Sequence, residues 1–269
     1  MIIANLFQSL KVSPEIDENL IRHLVLNTYR MYRSKFNSEY GELVICNDSG
    51  KYWRKDIFPQ YKYNRSKNKK KDNIDWSKVH EIMNTIHHEV LETFPYKNIK
   101  ILSVEADDII AVLCKKYSEK EKIVIVSNDK DFNQLQRYPN VRQYSPIKKE
   151  FINCGDPEDF LISHIIKGDS SDGIPNILSD DDTFLCEDKR QKPCGLKKIN
   201  EIKGELSEWT NTDNWKRNQK LIDFNFIPVK IEEDILDEYE KEVTGKRKDI
   251  LNYLIENKLK ELTKTLEDF

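Results

Sequence analysis

Three short apolar runs in this chain each give way to carboxylates within a few residues. Leu43-Val44-Ile45-Cys46 leads to Asp48, residues 99–104 lead to Glu105, Asp107 and Asp108, and Ile123-Val124-Ile125-Val126 leads to Asp129 and Asp131. The continuous first run reads as a strand buried on both faces, residues 99–104 are a second strand candidate, and the β-branched third run is the clearest of them. Helical spacing separates the runs: residues 16–36 before the first, residues 76–94 stopped by Pro95 before the second, and a helix opening at Glu105 before the third. Strands alternating with helices predict an α/β fold with a mostly parallel central sheet flanked by helices. Residues 131–137 read as helical, and residues 141–144 with 150–152 predict a short strand pair around Pro146.

In an open parallel sheet the carboxyl ends of the strands share one edge, where such folds place their sites. Asp48, Glu105, Asp107, Asp108, Asp129 and Asp131 are therefore expected on one rim, and Gly168-Asp169-Ser170-Ser171-Asp172-Gly173 adds two more acids. Like charges about 4 Å apart repel by roughly 4 kcal/mol at an effective dielectric of about 20, so such a cluster persists only with cations in it. Oxygen ligands alone favour Mg²⁺ or Mn²⁺. Enough acids are present for two ions, the arrangement that activates water and stabilises the leaving oxygen of a phosphodiester. Taken singly, an acid at a strand end or in a first helical turn is an N-cap or a dipole partner, and Asp108 fits that description as well as it fits a ligand. Three clusters behind three apolar runs, joined by a fourth, argue against coincidence.

The formal net charge is −3, and without the eight clustered acids the rest of the chain stands at +5. Residues 51–71 hold nine Lys or Arg and one acid, Asp56, interleaved with Tyr52, Trp53, Phe58, Tyr61 and Tyr63. Cations among aromatics suit a phosphate backbone with unpaired bases. Arg54, Lys62 and Arg65 are the candidates there, while the lysines of 67–71 read as a solvated stretch. The histidines (His23, His80, His87, His88 and His164) show no metal-binding spacing and read as ordinary. The five cysteines read as reduced thiols of a cytoplasmic protein without a signal peptide, and Cys186 and Cys194 lack the further ligands of a zinc site. No apolar run approaches bilayer-spanning length, which excludes membrane roles. From Asp156 the strand signal ends: Asp156-Pro157-Glu158 opens a helix that should close near Gly168, and Gly195-Leu196-Lys197-Lys198-Ile199 opens another. The expected division is an α/β domain over 1–155, with a basic arch segment at about 51–75, and a helical region over 156–269.

Glu105-Ala106-Asp107-Asp108, Ser127-Asn128-Asp129-Lys130-Asp131-Phe132 and Lys167-Gly168-Asp169-Ser170-Ser171-Asp172 together resemble the 5′-nuclease, or flap endonuclease, superfamily. Tyr52-Trp53-Arg54-Lys55-Asp56, Leu221-Ile222-Asp223-Phe224 and Ile227-Pro228 are similar to its phage members with RNase H activity, so the resemblance runs from the first helix to the tail. It implies a PIN-like nuclease fold with a helix–three-turn–helix region. It also implies a two-metal 5′-to-3′ exonuclease and flap endonuclease that removes RNA primers or 5′ flaps in lagging-strand replication. By resemblance, Asp48, Glu105, Asp107 and Asp129, with Asp108 beside them, line a first metal position, and Asp131, Asp169 and Asp172 a second, partly through waters. Lys62 and Arg65 join the catalytic set, and Arg54, Lys62 and Arg65 belong to the base of a helical arch over the 5′ end. Residues 168–174 and 195–199 correspond to the two turns that grip duplex backbone. Gly168, Gly173, Gly195, Lys197 and Lys198 then meet phosphates, with a K⁺ ion at the turn. The implied partners are DNA and RNA–DNA hybrid with a 5′ end or flap, and a replication clamp or single-strand-binding protein, with the protein itself a monomer. Two departures stand out. Superfamily members open with an apolar strand ending in a metal-binding Asp, which Met1-Ile2-Ile3 cannot supply, so the sequence is expected to be truncated at its N-terminus or to begin at an internal methionine. Residues 179–193 also set the two turns further apart. A catalytically impaired, structure-specific DNA-binding protein is the competing expectation, and a PIN-type single-strand RNA endonuclease a third.

Overall fold

A computed structural model describes residues 16–63, 75–186 and 188–269. Arg65, the lysines of 67–71 and the first three residues lie outside the described residues. Along the chain run α1 (Glu18–Tyr40), β1 (Val44–Asn47), α2 (Arg54–Ile57), α3 (Trp76–Thr93), β2 (Lys97–Lys100), α4 (Ala106–Tyr117) and β3 (Ile123–Val126). A 3-10 helix (Lys130–Arg137), β4 (Val141–Ser145) and β5 (Glu150–Ile152) follow. The helices α5 (Pro157–Lys167), α6 (Leu196–Gly204), α7 (Leu206–Trp209), α8 (Asp213–Ile222), α9 (Val229–Glu240), α10 (Arg247–Glu256) and α11 (Lys260–Thr263) complete the order. No described helix is long and apolar enough to cross a membrane.

The chain gathers into two compact units, each assembled from separate stretches. The first takes the described parts of 1–47, 72–100 and 237–269. Asp17 starts α1 by accepting the N–H groups of Asn19 and Leu20, and Asp75 caps α3 through Lys78 N–H. Ile21, Val25 and Leu26 of α1 and Ile82, Ile86 and Val90 of α3 recur at helical spacing and share a core with Ile45, Phe94 and Leu254. Each such side chain contributes about 1.5–3 kcal/mol on burial. At the edge of this core Arg22 makes two hydrogen bonds of 2.8 Å to Glu89, and Tyr253 donates to the same carboxylate at 2.6 Å. The strands β1 and β2 pair in parallel, Val44 opposite Lys97.

The second unit takes the described parts of 48–71 and 101–236. Here β3 pairs in parallel with β4, Ile123 opposite Val141, and β4 pairs antiparallel with β5. A core of Leu161, Ile165, Ile166, Ile199, Trp215 and Leu221 ties α5, α6 and α8 together around Phe58 and Tyr61. Asp156 caps α5 with Pro157 in its first turn and Gly168 closes it, as the sequence implies.

The mixed α/β class and its parallel pairings agree with the sequence, but the described strands form two small sheets, β1–β2 and β3–β4–β5, rather than one. The second strand also lies earlier than the apolar pattern suggests, over Lys97–Lys100. Residues 101–104 instead form a turn: Val104 N–H bonds Ile101 O at 3.2 Å and Ser103 has φ +65°. The carbonyls of Ser103 and Val104 accept Trp53 N–H and Ser49 N–H at 3.0 and 3.3 Å. The apolar pattern misleads here because the run is not uniformly buried: Leu102 is 73% exposed, and of residues 101–104 only Val104 turns into the core. This turn fastens the segment after β1 onto the start of α4.

Candidate metal centre

Asp48 follows β1 directly, and its Oδ1 accepts Ala106 N–H at 2.9 Å, so the carboxylate sits on the positive end of α4. Asp107 projects from the first turn of the same helix. Burial pushes its carboxyl well above the usual range, Asp129 adds to the rise, and Asp48 and Glu105 add further against a partial offset from Lys62. Asp129 is raised as well, by the surrounding protein first and then by Asp131, Asp172 and Asp169. Asp129 is the N-cap of the 3-10 helix, with Oδ1 on Asp131 N–H at 3.0 Å, while Gln143 braces its loop through Ser127 O and Asp129 O at 3.0 and 2.7 Å. Carboxylates from four segments thus crowd one another, and Asp107, Asp131, Asp169 and Asp172 line a common cleft with Arg54, Tyr61 and Glu105.

The turn after α5 fixes the fourth segment. Gly168 has φ +67°, and a Cβ there would lie 2.5 Å from Ile174 O, so only glycine fits. Asp169 and Ile174 exchange two backbone hydrogen bonds of 2.9 and 2.7 Å. Asp169 Oδ1 accepts Ser171 N–H and Ser171 Oγ–H at 2.8 and 2.5 Å, and its Oδ2 lies 2.9 Å from Lys130 Nζ. Burial would raise this carboxyl, but Ser171 and Lys130 hold it down at about 2. Gly173 likewise has φ +73°.

Four expectations need correction. Asp108 is fully buried, and its oxygens are taken by Arg54, Trp53 Nε1 at 2.9 Å and Glu105 N–H at 3.2 Å, so it faces inward rather than toward a cation. Arg54 is 3% exposed and cannot reach nucleic acid; it bonds Asp108 Oδ1 at 2.7 Å, Glu105 Oε2 at 2.9 Å and Leu221 O at 2.9 Å. Trp53, Phe58 and Tyr61 are core rather than stacking platforms, leaving Tyr63 exposed. Glu105 reaches the cleft with both oxygens engaged, by Arg54, by Tyr61 OH at 3.0 Å and by Lys62 Nζ. A cation would have to displace the ammonium to reach it.

Lys62, with φ +59°, is buried beside Glu105 and 3.7 Å from Asp172 Oδ2. Gly195 is the N-cap of α6, where Leu196 and Lys197 are exposed and Lys198 Nζ lies 3.2 Å from Glu201. The residue that sequence missed is His164. Its Nε2 lies 3.1 Å from Asp131 Oδ1 and 3.7 Å from Asp169 Oδ2, and no spacing in the chain announces that meeting. The cluster fits divalent cations. Its donors are mostly hard oxygens, Asp107 and Asp129 are both raised with neighbouring acids among the causes, and Asp131 Oδ1 is buried without a hydrogen-bond partner.

The family model described as "5′-3′ exonuclease, N-terminal resolvase-like domain" matches residues 16–161, and that described as "T4 RNase H, C terminal" matches residues 155–269. Ribonuclease H of Enterobacteria phage T4 is 33% identical over 95% of this chain and 88% of its own length. A 5′-3′ exonuclease of Buchnera aphidicola is 31% identical over 64% of this chain and 59% of its own. The flap endonuclease of bacteriophage T5, solved with DNA and metal ions, superposes with a TM-score of 0.56 over 80% of this chain and 91% of its own, at 21% identity, a likeness of fold. A model spanning more than half the chain and a relative spanning nearly all of it agree with the crowded carboxylates: the chain belongs to the 5′-3′ exonuclease family of nucleases.

Proposed function

We propose that this chain is a divalent-metal-dependent 5′-to-3′ exonuclease and flap endonuclease with RNase H activity, acting on DNA and RNA–DNA hybrids with a 5′ end or flap during replication. The observation that carries the reading is the convergence of Asp48, Asp107, Asp129, Asp131, Asp169 and Asp172, with Asp107 and Asp129 both raised by their neighbours. The names of the relatives, ribonuclease H and 5′-3′ exonuclease, support the substrate class. Asp48, Asp107 and Asp129 would hold one Mg²⁺ or Mn²⁺ ion, and Asp131, Asp169 and Asp172 a second. Bound there, such ions supply the charge that makes water nucleophilic near neutral pH and neutralises the leaving oxygen.

This chain's own residues do the rest. Glu105 and Asp172 hold the Lys62 ammonium at the cleft, where it meets a phosphate oxygen of the scissile bond. The inner triad of Arg54, Glu105 and Asp108 sets the position of Glu105 and hence of Lys62. The exposed N-terminus of α6 offers backbone N–H groups, with Lys197 beside them, to duplex phosphates. Catalysis lies in residues up to 155 with the Asp169 turn, and duplex grip in the remainder. The protein is read as a cytoplasmic monomer that meets a clamp or single-strand-binding protein at the fork.

A 5′-labelled flap duplex and an RNA–DNA hybrid, each with Mg²⁺ and with EDTA, test the proposal. The expected result is cleavage that EDTA abolishes and that leaves 5′-phosphate ends. Flap binding without turnover in Mg²⁺ or Mn²⁺ would instead favour a DNA-binding protein and sink the nuclease reading.

A further inference from the structure

We propose that His164 is itself a ligand to the cation held by Asp131 and Asp169, and that its imidazole tilts this position toward Mn²⁺ over Mg²⁺. The inference rests on the reading of the acidic cluster as a metal centre. His164 stands on the last turn of α5 and is 5% exposed. One donor atom each from Asp131, His164 and Asp169 lies within 4.8 Å of the others. Adjacent ligands of an octahedral ion with bonds of about 2.1 Å stand about 3 Å apart, close to the 3.1 and 3.7 Å that separate Nε2 from the two carboxylates.

The hydrogen bonds point the same way. His164 Nε2 and Asp131 Oδ1 are both buried, and neither makes a hydrogen bond, although they lie 3.1 Å apart. A histidine that merely fills a core satisfies its buried nitrogens, because leaving them unpaired is costly. Two adjacent orphans, one a carboxylate oxygen and one an imidazole nitrogen, are what a shared cation resolves. The Phe160 ring stacks on the imidazole at 5.6 Å and 20°, which fixes its plane. Asp169 Oδ1 is held by Ser171, so Oδ2 is the oxygen turned to the cluster, and its partner Lys130 is half exposed and able to swing out.

The consequence is selectivity. Mg²⁺ strongly prefers oxygen ligands, whereas first-row transition ions accept imidazole nitrogen. An imidazole joining Asp131, Asp169 and Asp172 also adds a nitrogen donor without adding negative charge to the position.

The test is pulsed electron paramagnetic resonance of Mn²⁺ bound to the full chain without an affinity tag. His23, His80, His87 and His88 belong to the other compact unit, so a directly coordinated ¹⁴N reports His164. The expected result is a ¹⁴N coupling that His164→Gln removes. Mn²⁺ affinity should fall by about tenfold or more, since loss of even an outer partner of a ligand costs on the order of 10- to 100-fold, and Mg²⁺ affinity should fall less. Should His164→Gln not fold, the wild-type chain labelled with ¹⁵N-histidine carries the test: a coupling that changes to the ¹⁵N pattern supports the assignment, and one that does not overturns it. Stoichiometric Mn²⁺ without nitrogen coupling would overturn the His164 assignment and leave the carboxylate centre standing. Failure to bind Mn²⁺ at all would sink the metal centre and this inference with it.

Discussion

Asp107 and Arg54 share one short stretch of structure and carry opposite kinds of electrostatic cost. Asp107 is surrounded by Asp129, Asp48 and Glu105, so its charge works against the fold until a cation arrives. Asp107→Asn should therefore lower flap cleavage at least about 100-fold, the several kcal/mol a metal-held charge supplies. In EDTA the same variant should unfold no earlier than wild type, or a few degrees later as about 1 kcal/mol of repulsion is relieved. Single-turnover cleavage and thermal unfolding read the two effects, and a variant that loses stability as well as activity would show that Asp107 is a structural acid. Arg54 is the reverse case. It pairs with Asp108 and shares Glu105 with Lys62 in the interior, so Arg54→Met leaves the buried Asp108 without a cation and should cost roughly 3–5 kcal/mol in urea denaturation. A cost below about 1 kcal/mol would mean that the pair is idle. In sequence Arg54 looks like a cation on an aromatic platform. Only its partners, contributed by a segment more than fifty positions later, turn it inward.

Among elements, the turn from Gly168 to Pro175 does the most for the site. It reverses the chain at the end of α5 and hangs Asp169 and Asp172 over the cleft. Gly168→Ala places a Cβ 2.5 Å from two backbone oxygens at a positive φ. The expected cost is at least about 2 kcal/mol, within the range for a strained residue at such a φ. Weaker divalent binding should follow, since Asp169 moves with the turn; calorimetric titration with Mn²⁺ reads it, and unaltered affinity would contradict the placement. The elements that local pattern revealed were those with their own start and stop chemistry. Examples are α5 between Asp156 and Gly168, α3 ending ahead of Pro95, and β3 with four β-branched residues. The four-residue helices α2, α7 and α11 have no side-chain cap and carry weaker marks, and β2 lies earlier because its continuation is a turn bonded to residues 49 and 53.

At the scale of the whole molecule, the two units respond to different chemistry. On the proposed reading the acids of the second unit answer to divalent ions, whereas the first is braced by Arg22, Glu89 and Tyr253 and should respond to acid. Burial alone would raise Glu89, but the bonds from Arg22 and Tyr253 outweigh it and the carboxyl is lowered. The folded state therefore binds this proton less tightly than the unfolded chain, whose Glu titrates near about 4.3. Its stabilisation is complete above that pH and is lost as pH falls through the lowered folded value. Glu89→Gln should cost about 1.5–3 kcal/mol at neutral pH, typical of hydrogen bonds to a charged group. The gap between variant and wild type should close below about pH 4. Denaturant curves across pH measure it, and a gap that stays constant into acid would show that the charge of Glu89 is not what matters.

By itself the sequence determined that acids follow strands, that a glycine-rich turn follows α5, and that a nuclease of this family was in view. Those are local facts, written in spacing, caps and the conformations a residue type permits. Which acids face the cleft, which are consumed by Arg54, and that His164 joins Asp131 and Asp169 were decided only by tertiary structure. The reason is physical. Burial and pairing are set by atoms brought together from distant positions, and a side chain's charge can be stabilised by a neighbour that no local pattern contains.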